Sequence, residues 1–406
     1  MSRRVVLLVG AGLVLSVTNL LAQPMTEQDA LRRMRAEYPQ TRALQAEVRE
    51  LEADARLRTL PTNPSVSYTR EDAGLAVDDF LLVSQELPWR GHRRLLREAA
   101  DREVSVAEAG ADASILAAET DLRLVFTDLL VAQASARVLQ GGLDELTTLA
   151  SVLASREAEG EGSRFDRLRV EREVAEVQAD LAATELGRAV AQMRLASFFR
   201  HGTTPGTLSA VGNLEDRPVW PVGSAVGAET QRPDLRALAA DEARWEAEGR
   251  AAERLRLPTA SLSGGLKRAA TAGSGATGYA MTAAFSVPIF SRGRAEAARA
   301  EAGQARAAAQ REALAARIAA EVDVARTTAR QYRDLVDRYR AESVDLATEL
   351  VAIATTAYEE GEYGILELLD AHRVTLHTHL RWIALSAAAR RGAISLDHAI
   401  GRQVTP

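Results

Sequence analysis

Two stretches of the chain alternate with a period of two. Tyr279, Met281, Ala283, Phe285 and Val287 interleave with Ala280, Thr282, Ala284 and Ser286, and Ala260, Leu262, Gly264 and Leu266 interleave with Ser261, Ser263, Gly265 and Lys267. That period puts an apolar set on one face and a small or polar set on the other, which predicts a hairpin of two strands. An earlier pair repeats the pattern less cleanly, in Val66 and Tyr68 against Ser65, Ser67 and Thr69, and then from Phe80 to Leu87. Loops at Glu71 to Asp78 and Ala269 to Ala276 leave strands of about 9 to 10 residues.

Around the strands the period changes to that of a helix. Segments of about Glu27 to Leu60 and Glu229 to Leu257 precede the two hairpins and are closed by proline. After each hairpin comes a proline-free run. Gly91 to about Ala158 predicts one helix of roughly 68 residues, about 100 Å long at ~1.5 Å per residue, and Arg292 to about Tyr358 predicts its twin. Leu139, Leu143, Leu146, Ala150 and Leu153 follow the 4,3 spacing of a coiled-coil seam, as do Leu335, Tyr339, Glu342, Leu346, Leu350 and Ile353. A Gly-containing turn then sends each rod back through a shorter helix, about Phe165 to Phe199 and Ile365 to Ile400. The helix before the strands and the return helix together match the length of one rod, so each half predicts a pair of pseudo-continuous antiparallel helices hanging from one hairpin.

The order of elements is therefore written twice. Pro39, Pro64 and Pro88 precede the first proline-free run, and Pro233, Pro258 and Pro288 precede the second. Gly160-Glu161 with Phe165-Asp166-Arg167-Leu168 recurs as Gly361-Glu362 with Leu366-Glu367-Leu368-Leu369. The expected division is an export signal over residues 1–22, a first repeat over 23–200, a Pro- and Gly-rich linker over 201–228, and a second repeat over 229–406.

Composition refines this picture. The chain has 406 residues, is rich in Ala, Leu, Glu and Arg and is only 4% aromatic, which suits long helices better than compact cores. Arg3 and Arg4, the apolar run from Val5 to Leu21 and the small Ala22 read as the export signal. The absence of cysteine excludes disulfides and thiolate metal sites. A net charge of −6 with no basic domain gives no reason to expect nucleic acid. An export signal combined with apolar/small-polar strands points to an outer-membrane barrel. Four strands cannot close one, since the smallest have about eight, so the chain is expected to oligomerise and remove its edges.

With hairpin, rod, turn and return helix each present twice, the mature chain resembles the TolC family of outer-membrane efflux proteins. The likeness is carried by Leu87-Pro88-Trp89-Arg90-Gly91-His92-Arg93, by Val287-Pro288-Ile289-Phe290-Ser291-Arg292-Gly293-Arg294, and by the turn Gly361-Glu362-Tyr363-Gly364-Ile365-Leu366-Glu367-Leu368-Leu369-Asp370-Ala371. The resemblance implies a mainly α chain with a small membrane β-barrel: a homotrimer with a twelve-stranded barrel in outer-membrane lipid, continued through the periplasm by an α-helical barrel. It also implies an exit duct for an inner-membrane pump or a type I secretion system, docked to a periplasmic adaptor, with heavy-metal efflux among the family's branches. At the periplasmic aperture it assigns acidic positions to Glu367 and Asp370, an acidic partner to Asp166 and a closed-state lock to Tyr358. Tyr363 stands where some members carry a lock Arg, a departure from that pattern. The docking tips are expected at Gly160, Gly162 and Ser163 and at Gly361, Glu362 and Gly364, where glycine permits tight reversals.

Other signals carry less. His372, His377 and His379 lack the i, i+4 pairing that grips zinc from one helix, so no metal site or other cofactor is expected. Glu71-Asp72 and Asp78-Asp79 read as solvated loop charge. No arrangement of nucleophile and base suggests an enzyme. The alternatives are a periplasmic adaptor, which would bring a lipoyl-like β-domain, and a structural coiled coil, which would not need barrel-like strands.

Overall fold

A computed structural model describes residues 23–87, 91–200, 203–215, 232–271 and 273–402. The expected export signal, most of the linker and the Pro88-Trp89-Arg90 part of the first motif lie outside the described residues. The elements run β1 (Gln23–Met25), α1 (Glu27–Glu37), α2 (Pro39–Thr59), β2 (Ser65–Asp72), β3 (Ala76–Leu87), α3 (His92–Ala158), α4 (Arg164–Ala196), β4 (Leu208–Ala210), α5 (Pro233–Ala252), β5 (Thr259–Thr271), β6 (Ser274–Ser286), α6 (Arg294–Tyr339), α7 (Asp345–Glu359) and α8 (Ile365–Ala399).

The two hairpins join in one antiparallel sheet of order β2-β3-β5-β6. Val83 pairs with Val66 and Gly264, Leu81 pairs with Tyr68 and Leu266, and Leu266 and Ala260 pair with Tyr279 and Phe285. Directly paired residues share a face. One face therefore carries Val66, Tyr68, Leu81, Val83, Leu262, Leu266, Tyr279, Met281 and Phe285, all exposed within the chain. The opposite face is mostly serine, threonine, glycine and alanine but also carries Leu82 and Phe80, with Lys267 over the Phe80 ring and paired to Asp78 at 2.6 Å. Three strands are longer than expected, β3 at 12 and β5 and β6 at 13 residues, β2 is slightly shorter at 8, and the loops are shorter. Pairing continues through the loop-like residues at both ends because each further ladder step satisfies two backbone groups, until Gly74 and Gly273 turn the chain at φ 80° and 110°. Among the described residues, β2 and β6 have one edge each without a partner.

The first rod, α3, is one helix of 67 residues, as expected. The second is not. A π turn at Arg340–Val344 divides it into α6 and α7. Its buried stripe runs through Ala329, Val336, Ala347 and Ala354, two steps of seven separated by one of eleven; the longer step holds about one further helical turn and contains the π segment. This stripe also replaces the expected seam. Leu335, Leu346, Leu350 and Ile353 are exposed, because alanines let the neighbouring helix approach closely and the leucines then point away. A second correction concerns the segment from Glu27 to Leu60, which breaks at Tyr38 (φ −60°, ψ 120°) into α1 and α2. Pro39 forces its predecessor out of the helical region and starts a new helix at its first position.

Packing sets the order of helices across the chain. α2 and α4 lie along one side of α3, α5 and α8 along the other, and α6 packs on α5 and α8. The short helices stack end to end. Tyr38 beside α1 stacks on Phe198 just past α4, with ring centroids 5.8 Å apart, and Arg232 before α5 reaches the Ala399 carbonyl at the end of α8.

A short parallel pair, β1 with β4, wraps the middle of the rods over Leu122, Phe126, Leu129, Leu195 and Leu208. Three-residue strands leave no readable period, so the pattern of the sequence does not predict them. Beside this core Arg123 pairs with Glu27 at 2.6 Å and Asp397 at 3.0 Å, while Arg390 binds Glu27 and the Asn213 carbonyl. The buried network links α1 and α3 to α8 and fixes their register.

Candidate channel aperture and docking tips

Both rods end in the same turn. Glu159 N–H donates to Ser155, Gly160 N–H to Glu157 and Glu161 N–H to Arg156; Glu360, Gly361 and Glu362 donate in the same order to Thr356, Tyr358 and Ala357. Gly160 and Gly361 sit at φ 81° and 77°, the left-handed cap that ends a helix without a Cβ penalty. At Gly162 a Cβ would fall 2.7 Å from the Glu157 nitrogen, so this position needs glycine for space. Ser163 caps α4 by accepting from the Asp166 N–H, whereas Gly364 starts α8 with no side-chain cap.

The backbone is shared but the chemistry is not. At the first tip Arg167 bridges Glu157 at the end of α3 and Glu171 one turn further along α4. At the second tip the matching positions are Tyr358, Leu368 and His372, and the latch is apolar. Tyr358 is half-buried against a cluster containing Leu146, Leu153, Val170, Val177, Ile365, Leu368 and Leu369. That cluster brings the first turns of α4 and α8 to one end of the molecule. With Ile365, Leu368 and Leu369 buried, Glu367 and Asp370 point away from it and are exposed, Asp166 is half-buried, and Tyr363 is exposed on the turn. Among the described residues neither Glu367 nor Asp370 forms an ion pair.

One turn beyond Asp370, Arg373 grips Glu173 of α4 through both carboxylate oxygens, one bond being 2.7 Å. The hydrogen bonds from Arg373 hold the Glu173 carboxyl below its usual range, partly opposed by burial. This cross-link ties the two coils together, and its members, 200 residues apart, had no signal in the sequence. His372 lies 3.4 Å from Glu145 in a cleft of about 320 Å³ that His379 and Arg373 also line. Burial pushes the His372 pKa down. Among the described residues no three His, Asp or Glu side chains converge on a metal-sized site, and no helix is long and apolar enough to cross a membrane.

A sheet with an exposed apolar face, carried on rods about 100 Å long that end in tight glycine turns, is the build of an outer-membrane channel subunit. Residues 226–402 match the outer membrane efflux protein family. The cobalt-zinc-cadmium resistance protein CzcC of Cupriavidus metallidurans is 25% identical over 328 residues, covering 77% of this chain and 74% of that one. Among solved structures, a membrane protein from Pseudomonas aeruginosa superposes with a TM-score of 0.77 at 19% identity over 92% of this chain and 93% of its own. The open-state outer membrane channel MtrE of Neisseria gonorrhoeae does so at 0.74 and 18%, over 93% and 89%. The family match over the second half of the chain, the similarity to CzcC and the shared fold together indicate a TolC-like outer membrane efflux protein. It is an export duct of the outer membrane that extends into the periplasm.

Proposed function

We propose that three copies close into a twelve-stranded barrel continued by a helical barrel, forming the passive exit duct of a tripartite system that receives its cargo from an inner-membrane pump through a periplasmic adaptor. The observation that carries this reading is the open, one-face-apolar sheet. Its unpaired edges on β2 and β6 cannot remain open in lipid, where each unmet backbone group costs several kcal/mol. The same sidedness recurs in the rods. α4 leaves Leu186, Val190 and Met193 exposed at one margin of the chain, and α6 and α7 leave Leu335, Leu346, Leu350 and Ile353 at the other, so each margin fits the opposite margin of a second copy. The division into an export signal (1–22), two repeats (23–200 and 229–406) and a linker (201–228) belongs to this proposal, as does the absence of catalysis on the cargo.

In this reading Glu367 and Asp370 ring the periplasmic aperture, with Asp166 as a partner from α4 and Tyr358 and Tyr363 shaping the closed state. They are three apart on α8 and share a face. Six carboxylates from three copies would repel one another and attract cations. Multivalent cations should therefore block single-channel current from the periplasmic side, and Glu367→Ala with Asp370→Ala should weaken the block about tenfold or more. Equal block in parent and double variant would remove these residues from the aperture. The similarity to CzcC supports a divalent metal ion as the cargo, delivered by the pump.

A further inference from the structure

Where the strands give way to the helices, six arginines per chain are exposed and, among the described residues, make no side-chain hydrogen bond or ion pair. Arg94 and Arg97 lie in the first two turns of α3, Arg254 and Arg256 in the 3₁₀ turn between α5 and β5, and Arg292 and Arg294 at the entry to α6. Elsewhere many arginines are partnered, among them Arg123, Arg232, Arg244, Arg373 and Arg390. The three junction stretches, residues 91–97, 253–258 and 287–294, contain one carboxylate, Glu253. At the opposite end of the sheet two of the three basic side chains of the strands are paired, Lys267 with Asp78 at 2.6 Å and Arg70 with Asp79 at 3.8 Å, while Arg268 forms no ion pair among the described residues.

A second observation coincides with the first. On the same rim Leu60, Ile289 and Phe290 are 61%, 63% and 99% exposed, next to the apolar face of the sheet. Phe290 stands two residues before Arg292. Largely exposed apolar side chains, interleaved with unpaired guanidinium groups at the edge of a membrane-type sheet, fit the boundary between acyl chains and headgroups.

We propose that this rim is a docking surface for anionic phospholipid in the periplasm-facing leaflet, Ile289 and Phe290 entering among the acyl chains and the six arginines binding the phosphates. A guanidinium meets phosphate with two parallel hydrogen bonds, and its long apolar stem lets it reach the headgroup from the rim. A zwitterionic headgroup covers its phosphate with its own ammonium, so the rim favours phosphatidylglycerol over phosphatidylethanolamine. The inference rests on the reading of the sheet as a membrane barrel.

The mature protein is reconstituted in vesicles holding equal amounts of the two lipids, extracted in mild detergent, and weighed intact by mass spectrometry with its retained lipids. Phosphatidylglycerol should be enriched about fivefold over the bulk ratio, less at high salt. The double changes Arg94→Gln with Arg97→Gln, Arg254→Gln with Arg256→Gln, and Arg292→Gln with Arg294→Gln should each lower the enrichment, and all six together should abolish it. Six Arg→Lys changes should retain most of it. Should the sixfold Gln chain fail to fold, the three double variants decide. A parent that inserts and conducts but retains the two lipids in their bulk ratio overturns the inference and leaves the barrel intact. Gln variants with unchanged enrichment but altered anion/cation permeability would put the arginines in the lumen and overturn it equally. A parent that does not insert overturns the barrel reading and this inference with it.

Discussion

Single residues separate two kinds of glycine. Gly303 of α6 lies against the indole of Trp245, and a Cβ there would stand 2.3 Å from the ring, while Gly110 and Gly187 face open space in α3 and α4. Replacing a helical glycine by alanine in open space stabilises by about 0.5–1 kcal/mol. Gly110→Ala and Gly187→Ala should therefore raise the melting temperature, and Gly303→Ala should lower it, with overpacking costing about 1–3 kcal/mol. Thermal unfolding followed by circular dichroism checks the signs. Glu173, its side chain 8% exposed, depends on Arg373 in a comparable way. Its folded pKa lies below the unfolded one, so its contribution is present above about pH 4.5 and is lost as the pH falls towards the folded value. Arg373→Ala leaves the carboxylate without its partner and should cost about 3 kcal/mol at pH 7 and progressively less as the pH falls from 4.5 through the folded value. A loss that does not change across the acid range would show that packing, not charge, is what Arg373 supplies.

Among the elements, the sequence was most legible where the period was strong. The strands followed from strict alternation, the first rod from a long proline-free run, and both turns from a glycine at the helix end. Legibility failed where tertiary packing chose between two readings. The Leu335 to Ile353 stripe has the spacing of a coiled-coil seam, yet the Ala329 to Ala354 stripe is the one buried within the chain. Both stripes are apolar, and a single sequence does not say which one meets its own chain. Pro39 can start a new helix or sit in a kinked one, and the extended Tyr38 that divides α1 from α2 decides for the first. β1 and β4 were too short to read, and the Arg373–Glu173 link joins residues no local pattern connects. Of the candidate site, the sequence indicated the turns, and the burial of Ile365, Leu368 and Leu369 then left Glu367 and Asp370 outward. The two tips make their own prediction. The chain has no cysteine, so Ser163→Cys and Glu362→Cys are single reactive sites. Each should crosslink to a cysteine at the hairpin tip of the periplasmic adaptor. Crosslinks that form only from the strand end of the molecule would contradict docking at the tips.

For the whole molecule, one asymmetry governs the rest. The chain buries its waist thoroughly, with Phe126, Leu122 and Leu129 fully enclosed, but leaves both lateral margins of its rods and one face and both edges of its sheet uncovered. That distribution supports the proposed ring, since a heterologous contact repeated around an axis can close one. With a four-stranded sheet in each chain, the proposed barrel of twelve strands takes three copies. The central claim is therefore tested most directly by the mass of the species extracted from outer membranes in mild detergent without heating. The account predicts a complex of three mature chains that separates into single chains on boiling; a single chain, or a protein recovered from the detergent-free periplasmic fraction, would contradict it.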